Sequence, residues 1–299
     1  MLRLTRRSDL LKSRLGGFAE ALLDIEQADG QAVRRTRVAS RRLRELLPVL
    51  ELRADTARKV TRRLRRVTRR LGRLRELDVL ATAIAELAAA RPHEQRAIAL
   101  LGADIERARD LARRELVSKD VASDAKKAAG KLGAALKDLG QRDLRPGRDR
   151  AWQWALDARV ARRAGAVAQA IEAAGSVYLA ERLHAVRIAL KKLRYAAELA
   201  AEASGRPDLA ALGTLKRAQT KLGRMHDLQV LIDHVRTVQA TMTPPDINRW
   251  RDLGALVRWL ERRCRGLHAG YFKDQSRLVE LCARLKAAPP ADHGSRKVG

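Results

Sequence analysis

Apolar residues recur along this chain at three- and four-residue intervals, and no strand-length run of β-branched residues alternates with polar ones. Leu10, Leu11, Leu15, Phe18, Leu22 and Leu23 form one such stripe, which predicts a helix from Asp9 to Gln27 ended by Asp29-Gly30. In the next segment, Leu43, Leu46, Leu47 and Leu50 share a side, with Pro48 predicting a kink or early stop. Val60, Leu64, Val67 and Leu71 mark a third helix from Asp55 to Leu71. Helical patterning resumes after Arg91-Pro92 and runs to Leu139, with a turn at Ser118-Lys119-Asp120. The stretch from Gly140 to Gly147 reads as a linker, and the pattern restarts near Asp149 with Trp152 and Trp154 as packing anchors. A helix is expected from Leu209 to Leu222, and a long one from Ile247 to Leu285 closes the chain. Breaks at Ser204-Gly205-Arg206-Pro207 and Thr243-Pro244-Pro245-Asp246 precede them. The fold class is all-α.

The polar sides of two of these helices match each other. At about 100° per residue, Arg34, Arg37, Arg41 and Arg44 lie opposite the leucines of their helix. The segment starting at His184 repeats the arrangement, with His184, Arg187, Lys191 and Arg194 opposite Val186, Leu190 and Leu193. A second pair follows each copy: Leu71-Gly72-Arg73-Leu74-Arg75-Glu76-Leu77 and Leu222-Gly223-Arg224-Met225-His226-Asp227-Leu228. Two separate segments at nearly the same offset indicate a duplicated helical unit, so residues 1–145 and 146–288 are expected to be related bundles. Residues 289–299 look like a disordered tail. A solvated face could carry such arginines once; keeping their positions in the copy argues for a built site. Gly72 and Gly223 are expected between helices, with Glu76 and Asp227 opening the helix that follows, where a carboxylate favours the positive end of the dipole. Set among cations, either carboxylate should be strongly acidic and serve to orient arginines.

Charge sharpens this picture. Lys and Arg outnumber Asp and Glu by 63 to 35 in 299 residues, a net +28, and self-repulsion on that scale calls for a polyanionic partner. Aromatics are only 3% of the chain, too few for the ring platforms that bind single strands by stacking. No run approaches the about 20 apolar residues of a membrane span, and no signal-type apolar core follows the basic N-terminus. Cys264 and Cys282, on one helix, would be about 27 Å apart, which excludes a disulfide between them and suits a reducing cytosol.

The two motif pairs resemble the CHAD family, the conserved histidine α-helical domain. Its hallmarks are a His-x-x-Arg-(Val/Ile)-x-x-(Arg/Lys)-(Arg/Lys)-Leu-Arg helix and a downstream Leu-Gly-x-x-(Arg/His)-(Asp/Glu)-Leu segment, each present twice. The resemblance covers about residues 10 to 285. It implies two bundles related by a pseudo-twofold axis, with a basic central groove that binds inorganic polyphosphate. The groove residues it implies here are Arg34, Arg37, Arg41, Arg42 and Arg44 with His184, Arg187, Lys191, Lys192 and Arg194 from the motif helices. Arg65, Arg69 and Lys216 come from the neighbouring helices, and Arg73, Arg75, Arg224 and His226 from the second motif. Arg34 stands where the family's first histidine would be, keeping an anion donor and removing a possible metal ligand from that half.

No phosphate loop, dinucleotide fingerprint, metalloprotease histidine pair or nucleophile elbow is present. The six histidines are scattered, so the expectation is no catalytic residue, no metal and no cofactor. His184 could be a phosphate donor, a structural residue or a metal ligand. Arginine forks and lysine points of charge suit anion capture. The first reading is therefore a cytoplasmic polyphosphate-binding protein attached to polyphosphate granules, with weak non-specific nucleic-acid binding and no membrane contact. The alternatives are a general nucleic-acid-binding protein, favoured by charge alone, and a phosphohydrolase. Oligomeric state is not legible in the sequence.

Overall fold

A computed structural model describes residues 5–23, 25, 29–90, 95–118, 121–143 and 148–287. They form ten α-helices and no strand: α1 (Arg7–Leu23), α2 (Gly30–Leu46), α3 (Ala54–Arg70), α4 (Gly72–Ala90) and α5 (Gln95–Ser118) come first. Then follow α6 (Val121–Asp143), α7 (Arg148–Ala174), α8 (Ala180–Ser204), α9 (Leu209–Ala240) and α10 (Ile247–Ala287). The expected C-terminal tail, the linker positions 144–147 and the turn residues Lys119-Asp120 lie outside the described residues.

The helix ends follow local chemistry. Asp29 does not close α1 but N-caps α2, its carboxylate accepting from the amides of Gln31 and Ala32 at 3.0 and 3.2 Å. Pro48 stops α2 and begins a single 3₁₀ turn, Leu47–Val49. Asp208 caps α9 through the Ala211 amide at 2.9 Å. Gly205 ends α8 at φ 65°, a left-handed conformation that costs glycine little.

Three expectations change. α9 runs unbroken through Gly223, so Asp227 sits mid-helix instead of opening one. An interior glycine costs a helix only about 1 kcal/mol, and the strong helix formers around Gly223 outweigh it. Residues 140–143, expected in the linker, are the last turn of α6. Leu23 and Trp154, expected to be buried, are 79% and 51% exposed, while Trp152 is buried as anticipated.

Two apolar clusters form. One joins α1–α6 to the start of α7, the end of α8, the second half of α9 and the first half of α10. The other is a four-helix core from Val160–Ala174 of α7, α8, the first half of α9 and the second half of α10. The larger cluster thus crosses the expected boundary at residue 145. Across the middle, α2 packs on α8 and α4 on α9. That crossing sets two motif helices face to face. Both cysteines are buried on α10 and unpaired.

Buried charges that serve the fold have partners. Glu45 of α2, 7% exposed, accepts from Arg159 Nε at 2.7 Å and Arg163 Nε at 3.2 Å on α7. Arg7, 2% exposed, donates to Asp143 and Glu51. Asp124 of α6 draws in Arg63, Arg66 and Arg70 of α3. Breaking such a pair leaves one ion buried and alone, which typically costs about 3–5 kcal/mol. Glu45→Ala should therefore lose about that much stability in a urea titration, since Arg159 is itself buried. Simultaneous Glu45→Leu and Arg159→Met should recover most of the loss, because the one cation then left without its carboxylate, Arg163, is partly exposed.

Candidate functional site

The polar faces of α2 and α8 meet where those helices cross, with Arg75 from α4 and His226 and Asp227 from α9 beside them. Leu43 and Leu46 anchor α2 below, and Val186, Leu190 and Leu193 anchor α8, all fully buried. The leucine stripe thereby aims Arg37, Arg41, Arg187 and Lys191 at one space. All four are half-buried.

Positive charge crowds this space. Arg37 is held down to about 10, first by burial and then by Arg41 and Arg75. Burial also lowers Arg187, with Arg41 adding to it and Asp227 opposing. Lys191 falls furthest, to about 7, through burial and the combined fields of Arg187, Arg41, Arg37 and Arg194. Arg44 is lowered by burial and by Arg65 and Arg41, and Arg75 by burial, with Arg34 contributing. One connected cluster therefore links Arg34, Arg75, Arg37, Arg41, Arg44 and Arg65 of the first half to Arg187, Lys191 and Arg194 of the second.

The cluster is not neutralised. Among the described residues, Arg41, Arg187 and Lys191 have no carboxylate within ion-pair distance and donate no hydrogen bond. Arg37 donates to the Thr68 carbonyl at 2.5 Å, which positions its guanidinium without cancelling charge. A Cβ at Gly72 would stand 3.5 Å from Arg37 Nη1, an ordinary contact, so the position of that guanidinium does not require glycine there.

Asp227 departs from expectation. Burial raises its carboxyl and outweighs the opposing pull of Arg187, Arg75 and Lys191. It is a weakened acid, not a strong one, because desolvation acts on it more than its cationic neighbours do. His184 and His226, distant in sequence, face each other through Nδ1 atoms 3.1 Å apart. Burial and the adjacent Arg187 and Lys191 lower both, His226 to about 4. Both rings are thus neutral at pH 7, one donating and one accepting. No group of three or more metal-ligating residues occurs among the described residues.

Other predicted site residues have acidic partners or are exposed, Arg194 combining such a partner with its place in the cluster. Arg42 reaches Glu198 at 3.5 Å and Arg194 reaches the same carboxylate at 2.8 Å, so Glu198 ties α2 to α8. Arg224 pairs with Glu86 at 3.1 Å. Arg69, Arg73, Lys192 and Lys216 are exposed and are not among the charges that perturb the half-buried members. Sequence reasoning missed Glu198 and Thr68, whose roles depend on helix crossings that spacing does not encode. Tyr195 was visible in the motif without a role; it is buried, with the Arg194 guanidinium 5.2 Å from its ring centre.

A family model described as CHAD domain matches residues 13–236. Among solved structures, the chain is similar to the crystal structure of the CHAD domain from the plant Ricinus communis. The two share 19% identity at a TM-score of 0.56, over 95% of this chain and 91% of that one. It is also similar to PptA from Streptomyces chartreusis, with 20% identity and a TM-score of 0.56 over 94% of this chain and 96% of that one. At these identities the likeness speaks to the fold alone. No curated protein matches the chain. The family model takes in both motif helices, the cationic cluster between them and most of α9, and the chain belongs to the CHAD domain family.

Proposed function

We propose that this CHAD domain binds inorganic polyphosphate without turning it over, in the basic space between α2 and α8, as a cytoplasmic protein of polyphosphate granules. The observation that carries the reading is the set Arg41, Arg187 and Lys191: half-buried, basic and without an acidic partner among the described residues. Elsewhere the same chain compensates its buried arginines with Glu45, Asp143 and Asp124. A cluster left uncompensated at a helix crossing is unfavourable until an anion enters, and arginine forks match phosphate oxygens. Pairing of the two motif helices gives a long anion contacts from both walls.

Two features weigh against nucleic acid as the intended partner. The exposed rings Trp154, Trp250 and Phe272 lie on α7 and α10 and not on the motif helices themselves. Tyr195, the ring within the cluster's motif, is buried and unable to stack on a base. No described helix is long and apolar enough to cross a membrane. Binding without turnover fits a cluster in which the carboxylate nearest Arg187 and Lys191, Asp227, is half-buried and lies in the field of three cations. Orthophosphate released with magnesium, above the protein-free rate, would end that part of the reading.

A competition titration tests the partner. Long-chain polyphosphate should resist displacement by duplex DNA or RNA at equal phosphate concentration; displacement by either would favour the nucleic-acid reading. Affinity should fall with salt, log K dropping by about 0.7 per phosphate contact per unit of log salt if the single-strand value transfers. A flat salt response would show that these cations do not hold the polymer.

Binding should also be proton-linked. Lys191 titrates near 7 in the free protein, so at pH 8 it is mostly neutral. A bound polyanion stabilises its ammonium form and moves the value back up, so complex formation takes up a proton. Affinity should therefore decline as pH rises above about 7 and level off below it. Calorimetry in two buffers of different ionisation enthalpy at pH 8 reads the uptake directly; Lys191→Arg, which stays charged, should abolish it.

A further inference from the structure

Lys191 differs from the chain's other described lysines by its setting. It is half-buried where α8 packs on α2, and among the described residues its amine has no acceptor; Arg187 and Arg194 of its own helix face it together with Arg37 and Arg41 of α2. His184 of α8 and His226 and Asp227 of α9 complete the charged and titratable groups around it. Lys221, by contrast, donates to Asp274 and the Gly270 carbonyl, and Lys59 pairs with Asp55. Lys192, one residue on, is exposed. A lysine amine among fixed cations and partly removed from water is the standard arrangement for an activated nitrogen nucleophile. Here that nucleophile stands inside an anion trap.

We infer that Lys191 is an acyl-acceptor site: an acyl phosphate, held through its phosphate by Arg41, Arg187 and Arg37, passes its acyl group to the Lys191 amine. The unprotonated Nζ attacks the acyl carbonyl carbon and an amide N–C bond forms. The C–O bond to phosphate breaks, and inorganic phosphate leaves with the electron pair. The amine's proton goes to the departing phosphate, so no oxidant, reductant or further reactant is needed. Arginines that bind the phosphate also stabilise the charge growing on it as it leaves. A value near 7 supplies a substantial neutral fraction at neutral pH, where an exposed lysine has almost none. One dianion leaves the surrounding cations in excess, so the amine is not fully reprotonated while the reagent is bound.

The consequence is regulatory. Acylation converts the central cation into a neutral amide and fills the space with an acyl group, so it should weaken polyanion capture. The inference rests on the proposed reading only for anion capture by these arginines, not for polyphosphate as the partner.

The test incubates the intact protein with acetyl phosphate near pH 7 and follows each lysine by peptide mass spectrometry. Lys191 should be acetylated at least about tenfold faster than Lys192, after allowing for the lower intrinsic nucleophilicity of a less basic amine. Added inorganic phosphate should remove the excess, and so should Arg187→Gln; the phosphate arm carries the result if that variant misfolds. N-hydroxysuccinimidyl acetate, which has no phosphate, should give a smaller preference for Lys191. Equal rates at Lys191 and Lys192 with acetyl phosphate, or the same preference with both reagents, would overturn the inference. Selective acetylation in a protein that fails to retain polyphosphate would sink the polyphosphate reading and leave this one standing.

Discussion

The structure turns on like charge held in place by leucine. Arg37, Arg41, Arg187 and Lys191 repel one another, and nothing acidic among the described residues pairs with Arg41, Arg187 or Lys191. They stay together because each rides on a helix whose opposite face is buried: Leu43 and Leu46 on α2, Leu190 and Leu193 on α8. Burying such side chains contributes roughly 1.5–3 kcal/mol each, enough to set where the helices cross whatever their polar faces prefer. Glu198 adds a tether by accepting from Arg194 of its own helix and pairing with Arg42 of α2. The fold stores electrostatic strain that a bound anion would relieve.

The same logic separates scaffold arginines from site arginines. Arg7 and Arg159 are more deeply buried than Arg41 or Lys191, yet each meets a carboxylate at 2.9 Å or less. Arg63, Arg66 and Arg70 of α3 converge on Asp124, whereas Arg65 on the same helix faces Arg44 and the cluster. A net charge of +28 thus hides two populations, one that holds helices together and one left open. Only the second is suited to a partner.

Much of this was legible in the sequence, for identifiable reasons. Helices with strong amphipathic stripes, such as Val60-Leu64-Val67-Leu71, appeared within a residue of their observed bounds because periodic burial fixes them. The four central cations were legible because their spacing recurs in the two motif helices. What failed depended on context. Gly223 resembled a break because Gly72 follows one, yet glycine alone does not end a helix whose neighbours favour it. Asp227 was expected to be acidic from its neighbours' charge, but spacing says nothing about desolvation, the larger effect here. Pairing of His184 with His226, and of Arg42 with Glu198, follows from crossing geometry that a linear pattern does not carry.

The central claim is that a built cluster, and not total charge, holds the anion. Two quadruple variants with identical formal charge decide it by titration calorimetry with long-chain polyphosphate at matched salt and at pH 6, where Lys191 of the parent is protonated, after circular dichroism shows both to be helical. One carries Arg37→Gln, Arg41→Gln, Arg187→Gln and Lys191→Gln. The other carries Lys126→Gln, Lys127→Gln, Arg251→Gln and Lys273→Gln, all exposed on α6 and α10. Charge-assisted contacts are worth about 1.5–3 kcal/mol each, so the first should lose at least about a hundredfold in affinity. The second removes only long-range attraction, which salt screens beyond about 8 Å, and should lose no more than a few-fold. Equal losses in the two variants would contradict the account.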